Sequence, residues 1–224
     1  MSGGARFGAL LLDLDGTLLD TAPDMTGALN RLRLEEGLGA LPFESLRPHV
    51  SHGAAALVRL GFGSPAPGEF ERLRRRFLAL YAGALSAGTR LFPGCEALLA
   101  ALERRGIPWG IVTNKPGFLT APLLATLGLD ARAACVVAGD TVAERKPHPL
   151  PLLHAAALIG RAPADCVYAG DAERDIVAGR AAGMHTVAVR YGYLAAGEDP
   201  GAWRPDAIVA EPGELLGLLA PADA

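Results

Sequence analysis

Phe7-Gly8-Ala9-Leu10-Leu11-Leu12-Asp13-Leu14-Asp15-Gly16-Thr17 is the stretch on which the fold turns. Its first half is a short apolar run with no polar face, which suits a strand buried on both sides of a parallel sheet. Its second half closes that strand on two acids, a glycine and a hydroxyl. Ligands of open α/β sheets bind beyond the carboxyl ends of strands, so a polar strand end predicts a site.

Working outward, further strands are expected at 109–112, 135–138, 166–169, 186–189 and 207–209. Helical spacing of apolar residues appears at 94–105, 118–127, 150–158 and 173–182, with a last helix at 214–219. Strand–helix alternation of this kind predicts an α/β fold with a mostly parallel sheet covered on both faces. From Thr21 to about Gly88 the alternation stops and no strand is expected. Thr21-Ala22-Pro23-Asp24 should open a helix, with Thr21 as cap, Pro23 in the first turn and Asp24 as the capping-box acid. Helices at 54–60 and 69–85 follow, separated by the glycine- and proline-rich segment 61–68. The domain reading is a core of residues 1–20 and 89–224, with a small helical insert at 21–88.

The 224 residues are 50% hydrophobic and 20% charged, enough for a sizeable core. A net charge of −3 gives no bulk attraction to nucleic acid or anionic membrane. The run Arg72, Arg74, Arg75 and Arg76 reads as a solvated helix face. No apolar stretch is long enough for a membrane span, and the start does not read as a signal peptide. Cys95, Cys135 and Cys166 are scattered and odd in number, which suits buried thiols in a cytoplasmic protein.

Each sharp polar feature falls at or just after a predicted strand end. After Asp13, Asp15 and Thr17 come Thr113-Asn114-Lys115, then Lys146-Pro147, then Gly170-Asp171 with Asp175 one helical turn on. Asp13, Asp15 and Asp171 packed together need a cation to stay ionised. With only oxygen ligands on offer the ion is a hard one, and Mg²⁺ fits. A carboxylate there can attack phosphorus, forming an aspartyl-phosphate. The charge on the phosphoryl oxygens then calls for donors of the type of Lys146 and Thr113. Asp15, on the same side of an extended backbone as Asp13, can protonate the leaving oxygen and later activate water. Only two of the 21 basic residues are lysines, Lys115 and Lys146, so a lysine here calls for a chemical reason. Lys146 has its reason in the phosphoryl group; Lys115 reads equally as a rim contact or a solvated loop residue. Asp175 is expected to support Asp171 or touch the metal.

These motifs resemble the haloacid dehalogenase superfamily, in the branch with a helical cap after the first motif. The resemblance covers essentially the whole chain and implies a Rossmann-like parallel sheet with a mobile cap. It implies Asp13 as nucleophile and metal ligand, and Asp15 as acid/base with its carbonyl on Mg²⁺. Thr113, Asn114 and Lys146 would hold the phosphate, and Asp171 the metal, supported by Asp175. Dehalogenases and phosphonate-cleaving relatives lack an aspartate two residues after the nucleophile, so Asp15 points to phosphate esters of small metabolites. Val112-Thr113-Asn114-Lys115-Pro116 and Lys146-Pro147-His148-Pro149 are similar to phosphoglycolate phosphatases, although Ala172 stands where that group usually has serine or threonine. Val50-Ser51-His52-Gly53-Ala54 and Ala188-Val189-Arg190-Tyr191-Gly192-Tyr193 resemble phosphatases of N-acetylmuramic acid 6-phosphate. His52 and Gly53 are the expected specificity contacts of the cap. A phosphosugar mutase would use the same aspartates and is the remaining alternative; a non-catalytic scaffold would lack part of the set.

Overall fold

The computed structural model describes residues 7–220. A six-stranded parallel sheet in the order β5-β4-β1-β6-β7-β8 forms its centre. These strands are β1 (Ala9–Leu12), β4 (Trp109–Val112), β5 (Cys135–Val137), β6 (Cys166–Gly170), β7 (His185–Val189) and β8 (Ala207–Val209). Chain order runs outward from β1 on one side and then returns to the other, so the strand order reverses between β1 and β6. That is where a crevice opens beyond the strand ends.

The alternation of side chains along β1 decides the two layers. Leu10 and Leu12 enter a core shared with α5 (Cys95–Arg104) and α6 (Gly117–Thr126). Ala9 and Leu11 enter the opposite core with α7 (Leu150–Leu158) and α8 (Glu173–Ala181). All four residues are buried, as a strand central to a two-sided sheet requires. Phe7 stands outside the strand, in a lone bridge to Leu219, and the expected last helix is a 3₁₀ segment, Pro212–Leu218.

Between the short strands β2 (Leu19–Asp20) and β3 (Arg90–Leu91) the chain makes only helices and loops: α1 (Ala22–Glu35), α2 (Phe43–Leu46), a 3₁₀ turn Arg47–His52, α3 (Gly53–Phe62) and α4 (Pro67–Ala82). β2 and β3 pair antiparallel, Leu19 with Leu91 and Asp20 with Arg90, so the insert leaves and rejoins the core side by side. The helix start at Thr21 holds, with Pro23 in the first turn, but both expected capping bonds are absent. The Thr21 hydroxyl donates instead to Asp15 Oδ1 at 2.7 Å. The Asp24 carboxylate accepts from the Gly88 and Thr89 backbone N–H groups at 2.6 and 2.8 Å and from the Thr89 hydroxyl at 2.6 Å. Tertiary partners outcompete the local ones, and Asp24 ties the exit of the insert to its entrance.

The arginine run on α4 lies on an exposed helix face, and three of its four members also pair with acids. Arg72 bridges Glu36 and Glu69, Arg76 holds Glu35, and Arg74 holds Glu71. All three cysteines are free and buried. Among the described residues no helix is long and apolar enough to cross a membrane.

Candidate active site

Beyond β1 the chain curls tightly, with Leu18 and Leu19 N–H both donating to Leu14 O. The curl needs Gly16, whose φ of 89° lies in the left-handed region and whose missing Cβ leaves room for the Asp171 carboxylate and the Ser51 hydroxyl. Asp13, which follows β1, and Asp171, which follows β6, therefore face each other. Their oxygens and one of Asp175 lie within 4.8 Å of one another, and all three residues are buried.

Lys146 sits against this cluster. Its Nζ lies 2.9 Å from Asp13 Oδ1 and 2.7 Å from Asp175 Oδ1, and donates to Val112 O at 2.9 Å and the Tyr168 hydroxyl at 2.6 Å. Its backbone is gripped by Asn114, whose Oδ1 accepts from Lys146 N at 3.0 Å and whose Nδ2 donates to Lys146 O at 2.9 Å. Asn114 was expected on the phosphate; its side-chain amide holds the Lys146 backbone through these two bonds. Thr113 is buried beside it, and its hydroxyl accepts from Lys115 N at 3.1 Å.

Burial pushes Asp171 up to about 7, and the neighbouring Asp13 and Asp175 push the same way, against the Ser51 hydroxyl and the Tyr193 N–H. Asp13 is also raised, by burial more than Lys146 lowers it. Asp175 goes down: burial works against its charge, but Lys146 and Arg174 outweigh it. Even with Lys146 in place the cluster is short of positive charge. An oxygen-only donor set in that condition fits a hard divalent cation.

The Asp15 side chain was expected among the metal-binding acids and is not in that cluster. Its Oδ1 accepts from Thr21 and lies 2.9 Å from Lys115 Nζ. Lys115 was read as rim or solvated loop; it is buried, with its ammonium also donating to the Tyr81 hydroxyl at 2.7 Å. From the insert, Ser51 donates its hydroxyl to Asp171 Oδ2 at 2.5 Å, and its carbonyl accepts from Arg174 Nη2 at 2.7 Å. His52 and Gly53 line a cavity of about 350 Å³ over Asp13, Asp15 and Thr113, together with Arg74, Arg145 and Arg174. Burial, helped by Arg174, lowers the His52 pKa. Sequence reasoning singled out the stretch holding Ser51 but not its bond to Asp171, and it missed Tyr81 and Arg174; Arg174 carried a signal, lying next to Asp175 in the first turn after β6.

The haloacid dehalogenase-like hydrolases match residues 7–183, from before β1 to beyond α8, and the chain belongs to that family. Its relatives stand among that family's phosphatases. The chain is 48% identical over 207 residues to a phosphoglycolate phosphatase of Xanthomonas campestris pv. campestris (strain 8004), covering 92% of this chain and 94% of that protein. It is 42% identical over 215 residues to an N-acetylmuramic acid 6-phosphate phosphatase of Pseudomonas aeruginosa, covering 96% and 95%. The crystal structure of a predicted phosphoglycolate phosphatase from Haemophilus somnus 129PT superposes with a TM-score of 0.85 at 27% identity, covering 96% of this chain and 99% of that one.

Proposed function

We propose that this chain is a cytoplasmic, Mg²⁺-dependent phosphomonoester hydrolase working through an aspartyl-phosphate on Asp13. The observation that carries the reading is the meeting of Asp13, Asp171 and Asp175 with Lys146 at the ends of neighbouring strands. Asp13 attacks phosphorus while the bond to the leaving oxygen breaks, and Asp15 gives that oxygen its proton. Asp15 then takes a proton from water as the water attacks the phosphoryl group on Asp13. Lys146 and Thr113 hold the phosphoryl oxygens. Asp13, Asp171 and the Asp15 carbonyl would hold Mg²⁺, which supplies charge neutralisation for those oxygens. Asp175 keeps Lys146 in place. The helical insert, residues 21–88, acts as a cap that excludes bulk water.

By likeness the substrate is 2-phosphoglycolate. A second reading, N-acetylmuramic acid 6-phosphate, is favoured by the cavity, whose volume of about 350 Å³ is roomy for a two-carbon leaving group. Both leaving groups carry a carboxylate, and Arg74, Arg145 and Arg174 line that cavity. The test is a phosphate-release panel with Mg²⁺ containing these two esters, common hexose phosphates and nucleoside monophosphates. The higher kcat/KM names the substrate. Hexose 1-phosphate isomerised without phosphate release would overturn the hydrolase reading in favour of a mutase.

A further inference from the structure

Three of the carboxylates near the phosphoryl site are served by two separate lysines. Lys146 serves Asp13 and Asp175, and Lys115 serves Asp15. The group around Lys115 has a feature the hydrolase reading leaves unused: it spans the core and the helical insert. Asp15 belongs to the curl after β1 and Lys115 to the loop after β4, while Tyr81 comes from the end of α4 in the insert.

Both strong donors to Asp15 converge on one oxygen. Lys115 Nζ lies 2.9 Å from Oδ1, and the Thr21 hydroxyl donates to the same atom at 2.7 Å. Lys115 is itself fixed, donating to the Tyr81 hydroxyl at 2.7 Å with its Nζ over that ring at 4.5 Å. Tyr81 and Lys115 are 1% and 7% exposed, so neither is a chance surface contact. Burial opposes the Lys115 charge, but Asp15 and Tyr81 beside it outweigh burial and keep the ammonium charged. A buried ion pair contributes little to stability compared with apolar packing of the same volume, so one between a loop and an inserted helix invites a functional reason.

We infer that Lys115 and Tyr81 are positioning residues for proton transfer at Asp15: they pin Oδ1, leave Oδ2 to exchange the proton with the leaving oxygen and with water, and complete the pin only when the insert is seated. This rests on Asp15 being the acid/base. Lys115 holds Asp15 directly, and Tyr81 acts through Lys115. Swinging the insert away withdraws the Tyr81 hydroxyl, so the proton donor is set when the site is covered and loosened when it opens. Lysine suits this place in an arginine-rich chain because a compact ammonium can reach a carboxylate and a phenol at once.

The test uses leaving groups that differ in their need for a proton. p-Nitrophenolate leaves without one, whereas an alkoxide does not. Wild type, Lys115→Met, Tyr81→Phe and Asp15→Asn are compared by kcat/KM, which covers steps through the first P–O cleavage. The substrates are p-nitrophenyl phosphate and whichever of 2-phosphoglycolate and N-acetylmuramic acid 6-phosphate wild type hydrolyses faster. General acid catalysis contributes roughly 10²–10⁴-fold, so Lys115→Met should lower the alkyl-to-aryl ratio about ten-fold or more, and Tyr81→Phe about three-fold. Equal losses on both esters in these variants would overturn the inference, since a structural defect does not sort esters by leaving group. Lys115 and Tyr81 also line the cavity, so ethyl phosphate, an alkyl ester with no carboxylate to hold, is run beside them: it should lose as the natural ester does, and a loss confined to the carboxylate-bearing ester would overturn the inference in favour of a substrate contact. If Lys115→Met does not fold, Tyr81→Phe, which removes one oxygen, carries the test alone. Asp15→Asn separates the two levels. If it too leaves the ratio unchanged, the acid/base assignment falls and takes the inference with it; if it alone lowers the ratio, only the role of Lys115 and Tyr81 falls.

Discussion

Raising the pH of the metal-free protein should destabilise it, and Asp171 sets the size of the effect. In the folded chain its pKa is pushed up to about 7 from an ordinary 3.8, by burial and by Asp13 and Asp175. The unfolded chain releases that proton near the ordinary value, so between the two values the folded state binds more protons. Stability is then greatest at the acid end of the window and falls as pH rises toward 7. Between about pH 5 and about pH 8 the loss integrates to about 2–3 kcal/mol. In a chain of this length that lowers Tm by roughly 5–10 °C. Asp13, raised for the same reason, adds to the slope with the same sign. Asp175, lowered, acts only below the ordinary aspartate value. His52, whose pKa is lowered, pulls the other way, so the series is best run in a His52→Gln background. The assay is thermal unfolding by circular dichroism with a chelator and again with excess Mg²⁺. Mg²⁺ displaces the same protons, so its stabilising increment should grow with pH, and Asp171→Asn should remove most of the metal-free slope. A metal-free Tm that is flat or rising across the window, or a slope unchanged in Asp171→Asn, would refute the reasoning.

Asp13→Asn should lower phosphate release by at least about a thousand-fold, because an amide does not attack phosphorus; release near the wild-type rate would remove the covalent mechanism. Lys146→Met should cost about 3–5 kcal/mol, since Asp13 and Asp175 lose a shared buried cation; chemical denaturation would read this, and no change in midpoint would contradict it. In Gly192→Ala the new Cβ collides with the Asp171 Cβ and Gly16 O, so Mg²⁺ affinity by calorimetry should weaken at least about ten-fold; unchanged affinity would place Asp171 outside the metal site. Asp24→Ala deletes three hydrogen bonds to Gly88 and Thr89, so trypsin should cut after exposed Arg90 faster than in wild type.

What was legible in the sequence follows the range of the forces involved. β1 could be read because burial on both faces leaves an uninterrupted apolar run, and β4 and β8 because a few β-branched or aromatic residues stand between turns. Asp13, Asp171 and Lys146 were visible because strand ends converge in a parallel sheet whatever the loops do. Thr21 and Asp24 were misread for the opposite reason. Each had a plausible partner three residues away, and each found a better one elsewhere: Thr21 in Asp15, Asp24 in Gly88 and Thr89. Asn114 was placed by motif alone, and its side-chain bonds to the Lys146 backbone, 32 residues away, carry no local signal. Lys115 and Tyr81 lie 34 residues apart and carry no local signal of the contact.

The scarcity of lysine has a practical side. Lys115 and Lys146 are the only lysines in the chain, and both are buried, so the side-chain amines face the phosphoryl site and none stands on the surface. Acylating reagents that decorate most proteins indiscriminately would here find, beyond an amino terminus, only those two. Their slow modification would report how often the site opens, and protection by inorganic phosphate would turn a generic label into a gauge of occupancy.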